Sequence, residues 1–425
     1  MTTRESVQAL PAPPDLQPQA TAGGRVLRVL LFSTLYPSAE RPEHGIFVET
    51  RLRELLKLGG VEVRVVAPVA WFPLRSPRFG ARAAMARTPS FELRNGIEVR
   101  HPRYLLLPKI GMTSAPFLLA LGALGTILKL RRQGFDFDLV DAHYYYPDGV
   151  AAALLSRWLS RPLAITARGT DLNLIPAHAL PRRMIHWAAG RAHASIGVCA
   201  ALVDVLRGMG VPPNKLHVFR NGVDLQRFRP LDGSECRSRL ALPAEAPVLL
   251  SVGHLIERKG HHVLIAAMPA VLARWPKALL LIVGEGEERQ RLTEQALALG
   301  VAASVRLVGR VPNSELAVWY SASDLLLLAS SREGWANVLL EAMACGTPVV
   351  ATRIWGTPEV VDELRSGRLV VERTGAAFAA AVDAMLSEPK PRADVRAYAE
   401  NFSWLSTSEQ QRSLFSTMAA QRLQA

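Results

Sequence analysis

The sequence predicts an α/β protein made of two doubly wound, parallel-sheet domains. Three observations carry that prediction. The chain has 425 residues, room for two domains of ordinary size. Its apolar runs are short, nearly continuous and rich in Val, Leu and Ile, the pattern of strands buried on both faces. Helical stretches separate most of those runs, which makes each step a strand–helix–strand unit, the building block of a parallel sheet.

The elements follow in order. Residues 1–24 contain Pro11, Pro13, Pro14, Pro18, Gly23 and Gly24 and read as a flexible tail with no core to join. The first twenty also lack the apolar run of a secretory signal. Val26–Phe32 is the first strand. A helix opens at Gly45 and stops at Gly59-Gly60, where glycine ends the periodic pattern. Val61–Ala67, Asp138–Ala142, Leu163–Ala167, Ser195–Cys199 and Leu216–Phe219 continue the first domain as strands. Six cleaner runs follow: Val248–Val252, Leu279–Val283, Val305–Val308, Leu325–Ala329, Pro348–Ala351 and Leu369–Val371. Six such strands amount to a complete doubly wound domain. The expected layout is a tail (1–24), a first domain (25–225), a linker (226–246) marked by Pro230, Gly233 and Pro243, a second domain (247–398) and a closing segment (399–425).

Composition narrows the function. Hydrophobic residues make up 49% and charged residues 20%, which excludes a disordered or fibrous chain. Lys and Arg number 50 against 37 Asp and Glu, a net charge of +13, and such an excess points to an anionic partner. Cys199, Cys236 and Cys345 are odd in number and widely spaced, which excludes a disulfide framework and fits a reducing cytosol. Between Trp71 and Ile110, eight Lys or Arg (Arg75 through Lys109) face only Glu92 and Glu98, with Trp71, Phe72 and Phe79 interleaved. The apolar stretch Ala115–Leu130 is 16 residues long, short of the roughly 20 that a membrane span needs. The one-sided charge favours an interfacial surface facing an anionic membrane over an ordinary core helix beside a solvated basic loop.

Ligands of doubly wound sheets bind beyond the carboxyl ends of the strands, so the polar residues just after each strand are the candidates. His143 follows the strand that begins at Asp138, and Arg168-Gly169-Thr170-Asp171 follows the next. Ser251-Val252-Gly253-His254 leads to Glu257-Arg258-Lys259-Gly260, cations placed before a helix N-terminus, where backbone amides and dipole add to the attraction for phosphate. The strongest feature runs from Ser331 to Pro348. Glu333 lies in its turn, and Glu341 lies eight residues on, inside a helix starting near Asn337. Free amides of Asn337, Val338 and Leu339 can take an anion. Glu333 can accept from sugar hydroxyls on one side of it, and Glu341 can hold a ribose diol on the other.

Glu333-x7-Glu341 within EGWANVLLEAMACGTPVVAT resembles the signature of retaining, GT-B-fold glycosyltransferases of family 4. Asn221-Gly222-Val223-Asp224 with Arg227-Phe228-Arg229-Pro230 resembles the segment leading out of that family's first domain. Val308–Pro312 resembles its base-lining loop, and Ser251–Lys259 its phosphate loop. The resemblance covers essentially residues 25–415 and is nearest to bacterial enzymes of exopolysaccharide and cell-wall polymer assembly. It implies a GT-B architecture whose two Rossmann-like domains face a central cleft. Gly45 would let backbone amides approach the donor diphosphate, and His143 would face the donor sugar. Lys259, with Arg258 as helper, would neutralise the diphosphate. Glu333 would bind sugar hydroxyls, Glu341 the ribose, and the backbone from Leu307 to Pro312, with Gly309 and Arg310, the base. The departure is His254, where family members carry Arg. The resemblance further implies retention of configuration, no divalent metal, no cofactor besides a UDP-, GDP- or other nucleotide-sugar substrate, and a closing helix that crosses back to the first domain, anchored by Phe402 and Trp404. Domain closure would hinge near Val223–Gly233 and residue 400. With the basic surface, it implies a cytoplasmic enzyme at the inner face of the membrane, acting on a lipid-linked or polysaccharide acceptor.

Other readings explain less. Asp136-Phe137-Asp138 is a D-x-D, a metal motif in the other large glycosyltransferase architecture, but it precedes a strand rather than following one. His261-His262 at a helix start is incidental rather than ligating. A sugar-nucleotide epimerase would share the fold and need no acceptor. An inactive scaffold would not need Glu333, Glu341, Lys259 and His143 together. A nucleic-acid-binding protein suits the charge, but no recognition motif accompanies it and the glycine and carboxylate pattern would go unexplained.

Overall fold

The computed structural model describes residues 25–107 and 111–424; the tail expected over 1–24, together with Lys109 and Ile110 of the basic stretch, lies outside the described residues. The chain divides into two compact units. One runs to Ala164 and resumes at Arg412; the other is Ile165–Gln411.

In the first unit the sheet runs Leu139–His143, Leu27–Phe32, Val61–Val66, Ile97–Arg100, Phe91–Arg94. All neighbours are parallel except the last pair. That pair is a hairpin that apolar periodicity alone does not reveal, because its strands are short and half exposed. Asn95 and Gly96 make its turn at φ +49° and +77°, the left-handed backbone of a two-residue hairpin loop. The helix Ile46–Lys57 buries Val48, Leu52 and Leu55, spaced to form one stripe. The apolar stretch is longer than its sequence suggests. It belongs to a 22-residue helix, Gly111–Arg132, which by length and composition could cross a membrane. A row of its residues, Leu119, Ala123, Ile127 and Leu130, is nonetheless buried within the unit. Gly122 makes the approach possible, since a Cβ there would lie 2.6 Å from the Arg103 carbonyl oxygen. The chain's last helix, Trp404–Gln424, enters this unit at Arg412. There Arg412 donates to the Leu58 carbonyl at 3.1 Å, and Phe415 is buried.

The second unit holds a six-stranded, all-parallel sheet in the order Val305–Gly309, Leu279–Val283, Val248–Val252, Leu325–Leu328, Val349–Thr352, Gly367–Val370. Its core includes Leu249, Leu280, Ile282, Leu325, Leu327 and Val350 from the strands and Leu264, Ile265, Met268 and Phe378 from the helices. A parallel pair, Ala194–Gly197 with Leu216–Val218, also lies in this unit. The segment read as a linker carries the helix Gly233–Arg239, capped by Asp232, whose side chain accepts from the Glu235 amide at 2.8 Å. Val223 pairs with Ser403, and the Val223 amide donates to the Phe402 carbonyl at 2.9 Å, so the two segments expected to hinge lie side by side.

Candidate active site

Each sheet has a point where consecutive strands depart to opposite sides, and loops leaving the carboxyl ends there open a crevice. In the first unit it lies between Leu27–Phe32 and Leu139–His143, with Phe32 in register with Ala142. Ser33 and His143 are the two ends. The Ser33 hydroxyl donates to the His143 carbonyl and accepts from the Leu35 amide, both at 3.0 Å. The Leu35 carbonyl in turn lies against Gly45, where a Cβ would sit 2.3 Å from its oxygen and φ is +73°. Gly45 is thus required twice, for its backbone angle and for the close approach. One loop system therefore carries Gly45 to the neighbourhood of His143.

The His143 ring is buried, with Nε2 at 3.1 Å from Asp141 Oδ2. Behind Asp141 stands Arg51 from the helix Ile46–Lys57, fully buried. Burial pushes its guanidinium down to about 10, and Asp141 favours its charged form. Sequence reasoning found His143 by its strand-end position but missed Asp141 and Arg51. Tyr144 follows at φ +83°, a strained backbone for a non-glycine residue and one that functional turns tolerate.

In the second unit the switch point lies between Val248–Val252 and Leu325–Leu328, which are followed by the loops that hold Lys259 and Glu333. Gly260 opens the helix His261–Arg274 at φ +74°, and a Cβ there would lie 1.9 Å from the Ala329 carbonyl oxygen. The Ser331 amide donates to the Arg258 carbonyl, and Arg258 Nη1 to the Arg332 carbonyl, both at 2.8 Å. These bonds join the two loops and bring their charged groups together. Lys259 Nζ and Ser330 Oγ each donate to Glu333 Oε1 at 2.6 Å, and Arg258 Nη1 lies 3.6 Å from Oε2. Burial alone would raise the Glu333 carboxyl, but Lys259, Ser330 and Arg258 outweigh it and hold it below the usual range.

The helix Asn337–Ala344 begins where expected, but its first turn offers less than the sequence suggests. The Leu339 amide is not free: it donates to the Ala336 carbonyl at 3.0 Å. That leaves the amides of Asn337 and Val338 as the candidate donors to an anion. Glu341 is half-buried and accepts from the Tyr320 hydroxyl at 2.8 Å. Burial raises it to about 7, a shift that Tyr320 and Arg227 partly offset.

Two residues outside the expected site reach this turn. A Cβ on Gly334 would lie 2.0 Å from the Arg168 carbonyl oxygen, so Arg168-Gly169 packs directly on the Glu333 loop. Arg168 Nη1 donates to Asn221 Oδ1 at 3.3 Å, and Asn221 Nδ2 to Asn337 Oδ1 at 3.2 Å. Their signal was the strand-end position of Arg168 and the Asn-Gly pair at 221. Their convergence on Asn337 is tertiary.

The other three expected residues lie at or just after strand ends of this unit. His254 is exposed; its carbonyl, not its ring, is engaged, accepting from the Ile256 amide at 2.9 Å. Gly309 ends a strand at φ +89°, its carbonyl accepting from the Gly284 amide at 2.8 Å, and Arg310 is exposed beside it. The carboxylates of the D-x-D have arginine partners. Asp136 pairs with Arg161 and with Arg131 at 3.2 Å, and Asp138 with Arg25 at 2.6 Å. His261 is buried against Ser251 Oγ at 3.2 Å and, by desolvation, pushed down to about 4; at neutral pH it is an uncharged residue at the helix start.

Known proteins match this arrangement. A model described as Glycosyltransferase Family 4 matches residues 44–227, and one described as Glycosyl transferases group 1 matches residues 234–402. TuaC of Bacillus subtilis, a putative teichuronic acid biosynthesis glycosyltransferase, is 30% identical over 343 residues, 78% of this chain and 82% of its own. The chain belongs to the family 4 glycosyltransferases. D-inositol 3-phosphate glycosyltransferase 1 of Catenulispora acidiphila is 32% identical to it, over 81% of this chain and 88% of its own. The glycosyltransferase also matches the solved structure of sucrose-phosphate synthase from Thermosynechococcus elongatus, with a TM-score of 0.75 at 21% identity over 93% of this chain and 100% of that one. Anabaena HepE, solved in complex with UDP, gives a TM-score of 0.70 at 22% identity, over 92% and 100%. The glycosyltransferase has the GT-B fold of these structures.

Proposed function

We propose that this glycosyltransferase moves a sugar from a nucleotide-diphosphate donor to an acceptor hydroxyl with retention of anomeric configuration. The observation that carries this reading is the Lys259–Glu333 pair beside the N-terminus of the helix Asn337–Ala344, at the switch point of the second sheet. As the glycosidic bond to the diphosphate breaks, negative charge grows on the leaving phosphate. Lys259, Arg258 and the Asn337 and Val338 amides are fixed donors for that charge. Such preorganised donors are worth on the order of 3–4 kcal/mol of barrier each. Glu333 accepts from sugar hydroxyls and Glu341 from the ribose. Attack by the acceptor hydroxyl from the face the leaving group departs retains the configuration, with the hydroxyl proton passing to the leaving phosphate. His143 is held by Asp141 at the switch point of the first sheet. No metal is required in this scheme, and the donor is the only nucleotide involved. The HepE structures with UDP and with UDP-glucose support a nucleotide-sugar donor.

The acceptor in this reading is a lipid-linked or polysaccharide glycan of the cell envelope, reached from the cytoplasmic side. The paired strands Val69–Ala70 and Arg103–Tyr104 deliver two segments from neighbouring ends. They expose Trp71, Leu74, Leu105 and Leu106, with Arg75, Arg78 and Arg82 also exposed. Cations around exposed apolar side chains suit an anionic bilayer.

A panel of UDP-, GDP- and ADP-sugars tests the donor, with EDTA present. One base should raise the melting temperature in proportion to the logarithm of ligand concentration over Kd, and transfer should survive the chelator. A melting temperature unmoved by every nucleotide sugar would sink the reading. NMR of the product anomer decides retention. Sedimentation with phosphatidylglycerol vesicles, but not phosphatidylcholine vesicles, is expected for the membrane surface; equal recovery from both would remove it.

A further inference from the structure

Tyr320 is fully buried on the helix Leu316–Ala322. Its ring packs edge-on against Phe228, with centroids 6.0 Å apart at 67°, and its carbonyl accepts from Thr347 Oγ1 at 2.6 Å. Its hydroxyl, held by both constraints, donates to Glu341 Oε2 at 2.8 Å. A phenol is an expensive group to bury, and a buried one needs a partner. Here that partner is a carboxylate that the proposed function assigns to the ribose.

We propose that Tyr320 is a positioning residue for nucleotide ribose recognition, fixing the Glu341 carboxylate from the protein side so that its remaining acceptor sites meet the ribose hydroxyls. The inference rests on the reading that Glu341 binds ribose. Pinning one oxygen removes rotational freedom before the ligand arrives, so less order is lost on binding. It also favours the ionised form, which accepts from both hydroxyls of a diol, over the protonated form, which must donate. The groups facing Glu341 are Tyr320 on the helix Leu316–Ala322, Arg227 on the segment after Val223, and Cys345 just past the end of its own helix. Burial pushes Cys345 up to about 12, so it is neutral there. Tyr320 and Arg227 are therefore what keeps Glu341 from rising further. Tyr320→Phe keeps the ring and removes the hydrogen bond, so Glu341 should stay protonated to higher pH.

Calorimetric titration with UDP, GDP and ADP, each beside its 2′,3′-dideoxy analogue, tests this. Wild type is expected to bind one ribonucleotide about tenfold more tightly than its dideoxy form, and Tyr320→Phe to lose most of that ratio at pH 7, a hydrogen bond to a charged group being worth about one such factor. The loss should shrink toward pH 8.5 as Glu341 ionises. Glu341→Gln, which cannot titrate, should show a ribose-to-dideoxy ratio that does not change between pH 6 and 8.5. If wild type discriminates ribose and Tyr320→Phe discriminates it equally, Tyr320 only packs, and the Glu341 assignment survives. If wild type binds both forms equally, or binds none of the three nucleotides, the ribose reading fails and this inference with it. Should Tyr320→Phe not fold, a wild-type ribose-to-dideoxy ratio that equals that of Glu341→Gln at every pH overturns the inference.

Discussion

Glu333 and Glu341 are two carboxylates of one motif, eight residues apart, and their surroundings push them in opposite directions. Glu333 is deeply buried, yet Lys259, Ser330 and Arg258 hold it below the usual carboxylate range. Glu341 keeps some exposure but faces a neutral phenol and rises to about 7. Burial raises both, and the chemistry of the partner decides the outcome. The difference teaches what each can do at neutral pH. Glu333 is a fixed anion whose charge holds a cation in place. Glu341 sits near its own titration and can exchange a proton for a ligand's hydrogen bond.

Removing the cation should break this contrast most severely. Lys259→Ala is expected to lower turnover at least a hundredfold, the loss of a charge-stabilising donor of about 3 kcal/mol. It also leaves Glu333 buried with only Ser330 and Arg258, which should cost stability as well. Steady-state rates with the cognate nucleotide sugar, set beside circular dichroism to confirm the fold, check it. Near-normal turnover would show that Glu333, not the diphosphate, is the reason Lys259 is there.

Next in size is the loop that seats Glu333. Gly334→Ala would drive a Cβ to 2.0 Å from the Arg168 carbonyl oxygen, so the Arg168-Gly169 turn must move. A destabilisation of about 2–3 kcal/mol is expected in urea, within the range of overpacked sites. Unchanged stability with lost activity would mean that the loop shifts as a body instead.

A smaller effect separates the two glutamates by pH. The folded-state value of Glu341 lies above its ordinary 4.5, so the folded protein binds more protons than the unfolded chain between about 4.5 and 7. Its stabilising contribution is full below that window and is lost as pH rises through about 7. Glu333 has the reverse sign. Its value is depressed, so its contribution is present above the ordinary 4.5 and is lost as pH falls through its folded value. Glu341→Gln should therefore flatten the decline of melting temperature between pH 5 and 8, a difference of about 1–2 kcal/mol. It should leave the acid limb set by Glu333 in place. A wild-type profile that does not decline over that window would contradict the contrast.

Legibility in the sequence followed the range of the forces involved. Strands buried on both faces write themselves as unbroken apolar runs, so Leu163–Ala167, Val248–Val252 and Leu279–Val283 fall where the runs fall. The half-exposed hairpin at Asn95-Gly96 leaves no such run. Strand ends pointed to His143, Lys259 and Glu333. The side chains that set their properties come from elsewhere: Arg51 lies on another element from Asp141, Tyr320 reaches Glu341 across 21 positions, and Arg258 reaches Arg332 across 74. Those partnerships exist only once the sheet has stacked its loops. The Leu339 amide shows the same limit at short range, since a helix start does not say which of its first amides the preceding turn has already satisfied.

The smallest expected effect concerns the position where the family pattern breaks. In the Lys259–Glu333 cluster the second cation is Arg258, 3.6 Å from Glu333 Oε2 and anchored on the Arg332 carbonyl. His254 is exposed, and its backbone carbonyl is held by the loop. Substituting the side chain leaves that carbonyl in place, so His254→Ala should change turnover by less than about threefold, within the usual reach of a surface change. Arg258→Ala should cost about tenfold, because it removes a charge near both Glu333 and the proposed diphosphate. Rates for the two variants at saturating and limiting donor decide between the cations. A larger loss at His254 than at Arg258 would mean that the exposed ring reaches the donor and that Arg258 serves only to tie the loops.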